Sequence, residues 1–185
     1  CDCKMTTYNT SSDAANTMIR AFLTKVGETY LGRSFNTGSG KGKEIWSRIK
    51  ANTFDNKCAF CNKDTESLTI EHLIMFNRSQ CGLHHPGNIV PCCKACNKRK
   101  RHEDTKKYFD WTEQLESVCE SIEELVVRKK KINDHIKNEN YPELTEDEVN
   151  VLRAVAESLY NRTSSELEKS IELFHSIDAT LVKRR

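Results

Sequence analysis

Two pairs of cysteines with the same two-residue gap, Cys58 with Cys61 and Cys93 with Cys96, bracket the tightest cluster of ionisable side chains in the chain. Thiol pairs at this spacing close a tetrahedral four-sulfur zinc site, although buried thiols or a disulfide are the plainer alternative. Four sulfur ligands leave no open position, so such an ion holds loop ends together and does not meet substrate. Cys92 competes with Cys93 for the site, but only Cys93 repeats the spacing of the first pair; it is read as the ligand, and Cys92 as a packed thiol. Between the pairs stands Glu71-His72, and Asn97 directly follows Cys96. Carboxylate and amide oxygens are hard donors suited to magnesium or manganese. An imidazole that titrates near neutrality suits a general base. A dication on phosphate oxygens together with a base for water is what phosphodiester hydrolysis requires.

Three elements would position these groups. Leu68-Thr69-Ile70 is an apolar, partly β-branched run leading into Glu71-His72, and Asn88-Ile89-Val90 is a second strand-like run after His85-Pro86-Gly87. Lys94 to Arg101 contains neither Gly nor Pro and reads as a helix. A helix starting beside a strand pair returns Asn97 to the neighbourhood of Glu71 and His72.

At these residues the sequence resembles the HNH endonuclease family, in the subgroup whose motif is framed by two zinc knuckles. The likeness rests on E-H-L-I, then G-N-I-V-P, then C-x-x-C-N-K-R-K, and covers roughly residues 56 to 101. It implies an α+β, mostly α fold with a small zinc-stabilised ββα-metal core. It implies DNA cleavage leaving 5′-phosphate and 3′-hydroxyl ends, Glu71 as acidic metal ligand, His72 as general base, Asn88 as a loop brace and Asn97 as the last ligand. The chain departs from the commonest pattern at Glu71, where Asp is usual, at Met75, where Pro is frequent, and at Asn97, where His is usual. The first and third departures keep an oxygen donor and favour magnesium over a softer ion. His84 and His85 are read as solvated loop histidines, with phosphate or metal contact as the alternative.

The remainder is read as scaffold and grip. Lys94, Lys98, Arg99, Lys100 and Arg101 crowd the run that carries Asn97 and are expected to grip nucleic-acid phosphates. Global charge gives no such signal: four thiolates and a zinc ion bring the formal +2 near zero. Nine cysteines grouped as knuckles, with an odd total, point to a reducing cytoplasm. No long apolar run suggests a membrane span, and no signal-peptide pattern is visible. The chain opens on Cys1 and not on Met, which leaves room for residues upstream. Cys1 and Cys3 read as either a stray metal-binding pair or terminal thiols.

Ser11 to Tyr30 reads as an amphipathic helix capped by Ser12 or Asp13, with Met18, Phe22, Leu23, Val26 and Tyr30 on its apolar face. Residues 36 to 43 read as a flexible loop that lacks phosphate-loop spacing, leaving Lys41 and Lys43 as candidate backbone contacts. Glu44 to Ala51 reads as a short helix packing Ile45, Trp46 and Ile49 on the zinc module. The rhythm of Leu115, Val118, Ile122, Leu125 or Val126, Ile132 and Ile136 predicts one long helix over 104–138. Asn140-Tyr141-Pro142 breaks it. A capping box at Thr145 to Glu148 then opens a second helix, whose stripe runs from Val149 through Leu152, Ala156, Leu159, Leu167, Ile171, Phe174 and Ile177 to Leu181.

The resulting expectation has three parts: an N-terminal helical region over 1–55, an HNH core over 56–103 and a helical hairpin over 104–185. The hairpin would serve a homodimer or a targeting subunit, and Arg128 to Lys131 and Lys183 to Arg185 read as solvated, with nucleic-acid contact as the alternative. A metal-dependent DNA endonuclease of restriction or phage defence is the expected function. The competing expectation is a non-catalytic zinc module that binds nucleic acid or protein.

Overall fold

The computed structural model describes residues 10–65 and 67–182. Cys1, Cys3 and Lys183 to Arg185 lie outside the described residues, as does the side chain of Leu181. Its elements are α1 (Ser11–Leu31), α2 (Gly40–Arg48), β1 (Leu68–His72), β2 (Ile89–Cys93), α3 (Trp111–Glu116), α4 (Ile122–Asn138) and α5 (Glu146–Val182), giving an α+β chain that is mostly helical. Two compact units emerge. One draws on α1 as far as Phe22, on Asn77–Cys81 and on the chain from Thr145; the other comprises Leu23–Phe76 and Gly82–Leu144. The expected cuts after residues 55 and 103 both fall inside the second unit.

The second unit is built on an antiparallel strand pair whose register sets Leu68 opposite Cys93, Glu71 opposite Val90 and His72 opposite Ile89. Ile89, Val90 and Cys92 of β2 are fully buried among Trp46, Ile49, Phe54, Phe60, Leu115 and Ile132. Trp46 and Ile49 thus pack on the cysteine module as their spacing predicts. Pro91 brings no N–H to the ladder, and its carbonyl accepts from Ala59 N at 2.8 Å, tying the first cysteine pair to the strand. His135, buried on α4, donates through Nε2 to Ile89 O at 3.0 Å.

Several helices differ from their sequence patterns. In α1 the cap is Thr10, reciprocally bonded with Asp13, two or three residues before the expected cap. Its buried positions are Ala15 and Ile19 in the first unit and Leu23 and Gly27 in the second, while Met18 and Tyr30 are about half exposed. Gly27 explains the rotation: a Cβ there would lie 2.6 Å from His84 O, so the helix approaches that backbone through its glycine and not through the larger side chains nearby. The loop expected to run to Lys43 is already helical from Gly40. The single helix expected over 104–138 is two, α3 and α4, because Asp110 and Ser121 each accept from backbone N–H groups of a new first turn. Ile122, placed on the apolar stripe, is largely exposed, and of the alternatives Leu125 and Val126 it is Leu125 that packs against the core while Val126 is exposed. α4 and α5, the two expected arms of the hairpin, belong to different units.

In the first unit, α5 opens on the expected box of Thr145 with Glu148. Its stripe is buried at Leu152 and Ala156 and exposed at Ile171, Phe174 and Ile177. The Arg78 guanidinium lies 3.8 Å over the Tyr160 ring, and Ser12 Oγ meets Tyr160 OH at 2.9 Å. No helix among the described residues is long and apolar enough to cross a membrane.

Candidate metal centre and the end of the first strand

The two cysteine pairs close on one point. The ligand atoms of Cys58, Cys61, Cys93 and Cys96 lie within 4.8 Å of one another, and this is the only such group of metal-ligating side chains among the described residues. Each pair wraps a tight turn: Asn62 N donates to Cys58 O at 2.8 Å, with Asn62 in the left-handed region (φ 55°), and Asn97 N donates to Cys93 O at 3.0 Å. Cys61 and Cys93 sulfurs stand 3.8 Å apart. Zinc–thiolate bonds of about 2.3 Å give a tetrahedral edge of about 3.8 Å, so the set has the size for that ion.

Cys92, fully buried, stays out of the group, as the spacing predicts. Hydrogen bonding from Cys92, helped by neighbouring backbone groups, holds the Cys58 thiol down at about 4 despite its burial. Cys92 itself is pushed far up, first by that bond to Cys58 and then by burial. Burial likewise raises Cys61 and Cys96, with the Cys58 charge adding to both. A dication would offset this mutual repulsion, since a coordinated thiol is deprotonated outright.

At the other end of β1 stand Glu71 and His72. Asn97 Nδ2 donates to Thr69 Oγ1 at 2.7 Å and reaches Ile70 O at 3.4 Å, which seats Asn97 on the strand. Glu71 Oε1 accepts from Arg99 at 2.5 Å. His72 Nε2 meets His84 Nδ1 at 3.0 Å, and its ring stacks on Phe76 with centroids 4.6 Å apart. Asn88 is buried at the head of β2. Its side chain accepts from Ile74 N at 2.8 Å and donates to Ile74 O and Leu83 O, both at 2.9 Å. Its carbonyl takes Leu73 N at 2.9 Å, so one asparagine ties the exit of β1 to the loop that precedes β2.

Residues 58–109 match the HNH endonuclease family model. No curated protein and no solved structure matches the chain. The HNH segment contains both cysteine pairs, both strands, Asn88 and Asn97; α1, α2, α3, α4 and α5 all lie outside it.

Within the HNH segment the residues after Cys96 depart from expectation. Residues 94–101 are turns and extended chain, not a helix. The knuckle consumes the first turn, Lys100 N donates to Gln114 Oε1 at 2.9 Å, and Phe109 N donates to Lys100 O at 2.9 Å, so the backbone is satisfied without helical bonds. Asn97 therefore reaches β1 from a turn.

Arg99, expected on DNA, points inward. Its side chain is 2% exposed, and its guanidinium donates to Glu71, to His72 O at 2.7 Å and to Leu73 O at 3.0 Å. It is spent on the protein and is not available to a phosphate. Lys94, Lys98, Lys100 and Arg101 are exposed, the last lying 3.9 Å over the Tyr108 ring. Burial pushes the Glu71 carboxyl above the usual carboxylate range, and Arg99 pulls back without cancelling the shift.

His84 and His85 are not solvated. His85 is buried, accepts from Gly87 N at 3.1 Å, and is pushed down to about 4 by burial. His84, half-buried, faces His72. Neither a spacing rule nor hydropathy singles out His84 or the inward turn of Arg99. An arginine inside a basic run reads as solvated, and a loop histidine reads the same way.

In donor type the Glu71 and Asn97 pair fits a hard dication. Arg99 takes one carboxylate oxygen and the amide nitrogen of Asn97 is engaged, which leaves Glu71 Oε2 and Asn97 Oδ1. Magnesium is commonly bound through so few protein oxygens, completed by water and substrate phosphate.

Proposed function

We propose that this chain is a metal-dependent endonuclease that hydrolyses DNA phosphodiester bonds. The observation that carries the reading is the seating of Asn97 on β1, two residues before Glu71-His72, inside the HNH segment. In this reading zinc occupies the four-cysteine group and is structural. Asn88 fixes the loop that leaves β1, and His72 accepts the proton of the attacking water. A magnesium or manganese ion at Glu71 and Asn97 would supply positive charge to the phosphate oxygens. The exposed Lys94, Lys98, Lys100 and Arg101 supply the phosphate grip, without Arg99. A cytoplasmic restriction or phage-defence role suits a nuclease carrying helical extensions. The exposed Ile171, Phe174 and Ile177 of α5 suit a homodimer or a targeting subunit.

One observation favours a second reading. The guanidinium on Glu71 already compensates the carboxylate, as a non-catalytic zinc module that binds nucleic acid would require. Supercoiled plasmid incubated with magnesium or manganese separates the two. The nuclease reading expects nicked or linear product from wild type and none from His72→Ala. Retention of DNA in a mobility shift without cleavage under either ion overturns it in favour of the binding module.

A further inference from the structure

We propose that Thr69 is a positioning residue for Asn97: its hydroxyl holds the side-chain amide with the nitrogen toward β1 and the oxygen presented to a divalent cation, which rests on the reading of Asn97 as a metal ligand. A side-chain amide has one donating and one accepting end, and the bonds around it decide which end faces where. Thr69 Oγ1 carries one proton and spends it on Cys92 O at 3.0 Å. Toward Asn97 the same oxygen can therefore only accept, and it does so from Nδ2 at 2.7 Å. Ile70 O, which can only accept, lies 3.4 Å from the same nitrogen. Turning the amide over would set Oδ1 against two oxygens with no proton to give. The nitrogen stays on the strand, and Oδ1 is the end left to act as a ligand.

The strand register supplies the hydroxyl. Thr69 is paired with Cys92 across the ladder, so the carbonyl it bonds belongs to the neighbouring strand. Its branched side chain has few rotamers, which keeps the hydroxyl in place. Asn97 arrives from the turn of the second cysteine pair, where its own N–H donates to Cys93 O at 3.0 Å. Two residues on, Arg99 donates to Glu71, itself two residues beyond Thr69. Residues 97–99 thus run alongside residues 69–71, and the amide and the carboxylate share one neighbourhood.

Orientation matters here because the residue is an amide. A carboxylate offers an oxygen whichever way it turns. An amide turned the wrong way offers an NH2 group, which has two donors and no free acceptor site. Thr69 acts through Asn97 and needs no contact with the cation.

Binding of manganese to the zinc-loaded full chain, read from loss of the free-ion electron paramagnetic resonance signal, tests this without any cleavage. Thr69→Val keeps the shape and removes the hydroxyl. Its manganese affinity is expected to fall about 10-fold, the lower end of the range for a partner that orients a ligand, since Ile70 O still offers an acceptor. Thr69→Ser restores the hydroxyl and is expected to recover most of the loss. In an Asn97→Asp background, where either oxygen serves, Thr69→Val is expected to change affinity little. Wild-type manganese affinity in Thr69→Val, or the same loss in both backgrounds, overturns the proposal. Thr69→Ala gives the same comparison should valine disturb the strand pair. If Asn97→Ala binds manganese as tightly as wild type, the reading of Asn97 as a ligand fails and the proposal falls with it. Weakened binding in Asn97→Ala beside full affinity in Thr69→Val sinks the positioning role alone.

Discussion

Replacing Arg99 by Met probes the charge pairing on which both readings of Glu71 turn. The Arg99 side chain is 2% exposed and that of Glu71 13%, so the pair lies where water screens little. Removing the guanidinium leaves a mostly buried carboxylate without its cation and frees the His72 and Leu73 carbonyls. Breaking one partner of a buried pair costs about 3–5 kcal/mol, a large share of the roughly 5–15 kcal/mol typical of a domain. Glu71→Leu together with Arg99→Met removes both charges and is expected to cost less than Arg99→Met alone, giving a coupling energy of about 2 kcal/mol or more.

The sign with pH follows from the direction of the Glu71 shift. Its folded-state carboxyl is raised above the ordinary 4.5, so the folded chain holds the proton longer than the unfolded one. Stability from that proton is full below the unfolded value and is lost as pH rises through the folded value. Without Arg99 the carboxyl climbs further, and the deficit of Arg99→Met relative to the double variant is expected to widen as pH rises above that range. Urea denaturation of the zinc-loaded proteins at matched pH measures this, and comparison at one pH cancels changes in zinc affinity. A loss below about 1 kcal/mol, or strictly additive substitutions, would refute the argument and release Glu71 for a second cation.

Removing the metal from the four-cysteine group, by chelation or by Cys96→Ser, is expected to unfold the strand pair; a far-ultraviolet circular dichroism spectrum unchanged by chelator would contradict this. Asn88→Ala removes the three side-chain hydrogen bonds that lock the loop after β1 and is expected to cost about 3 kcal/mol or more in denaturant midpoint analysis. His85, depressed from its ordinary 6.5 to about 4, contributes stability that is present above the unfolded value and lost as pH falls through the folded one. That loss amounts to about 3 kcal/mol, and thermal melts of His85→Asn between those limits should show a flatter pH dependence.

What the sequence disclosed follows the reach of each signal. The cysteine pairs were legible because one ion imposes both spacings at once, and the strands because β-branched runs flank turn residues. α1 was legible as a helix, yet its buried face was not, since hydropathy gives Gly27 no weight and the crossing over His84 needs a residue without a side chain. The rhythm over 104–138 ran through two helix starts because Asp110 and Ser121 act by local hydrogen bonding, which periodicity does not register. Asn97 was expected to reach β1 from a helix; it reaches it from a knuckle, whose bonds within the turn stop a helix from forming there. Arg99 was the hardest to foresee. Its inward course is set by a carboxylate and two carbonyls brought close only by folding.

Pro91 carries one further consequence. A two-stranded sheet has an outer rim on each strand, and a rim with free donors and acceptors invites a foreign strand to join. At the middle of β2 the proline has no donor to offer and its oxygen is already held by Ala59. An incoming strand would find no ladder to extend there, so the sheet is guarded against edge-to-edge recruitment at the point where its cysteine clasp is fastened.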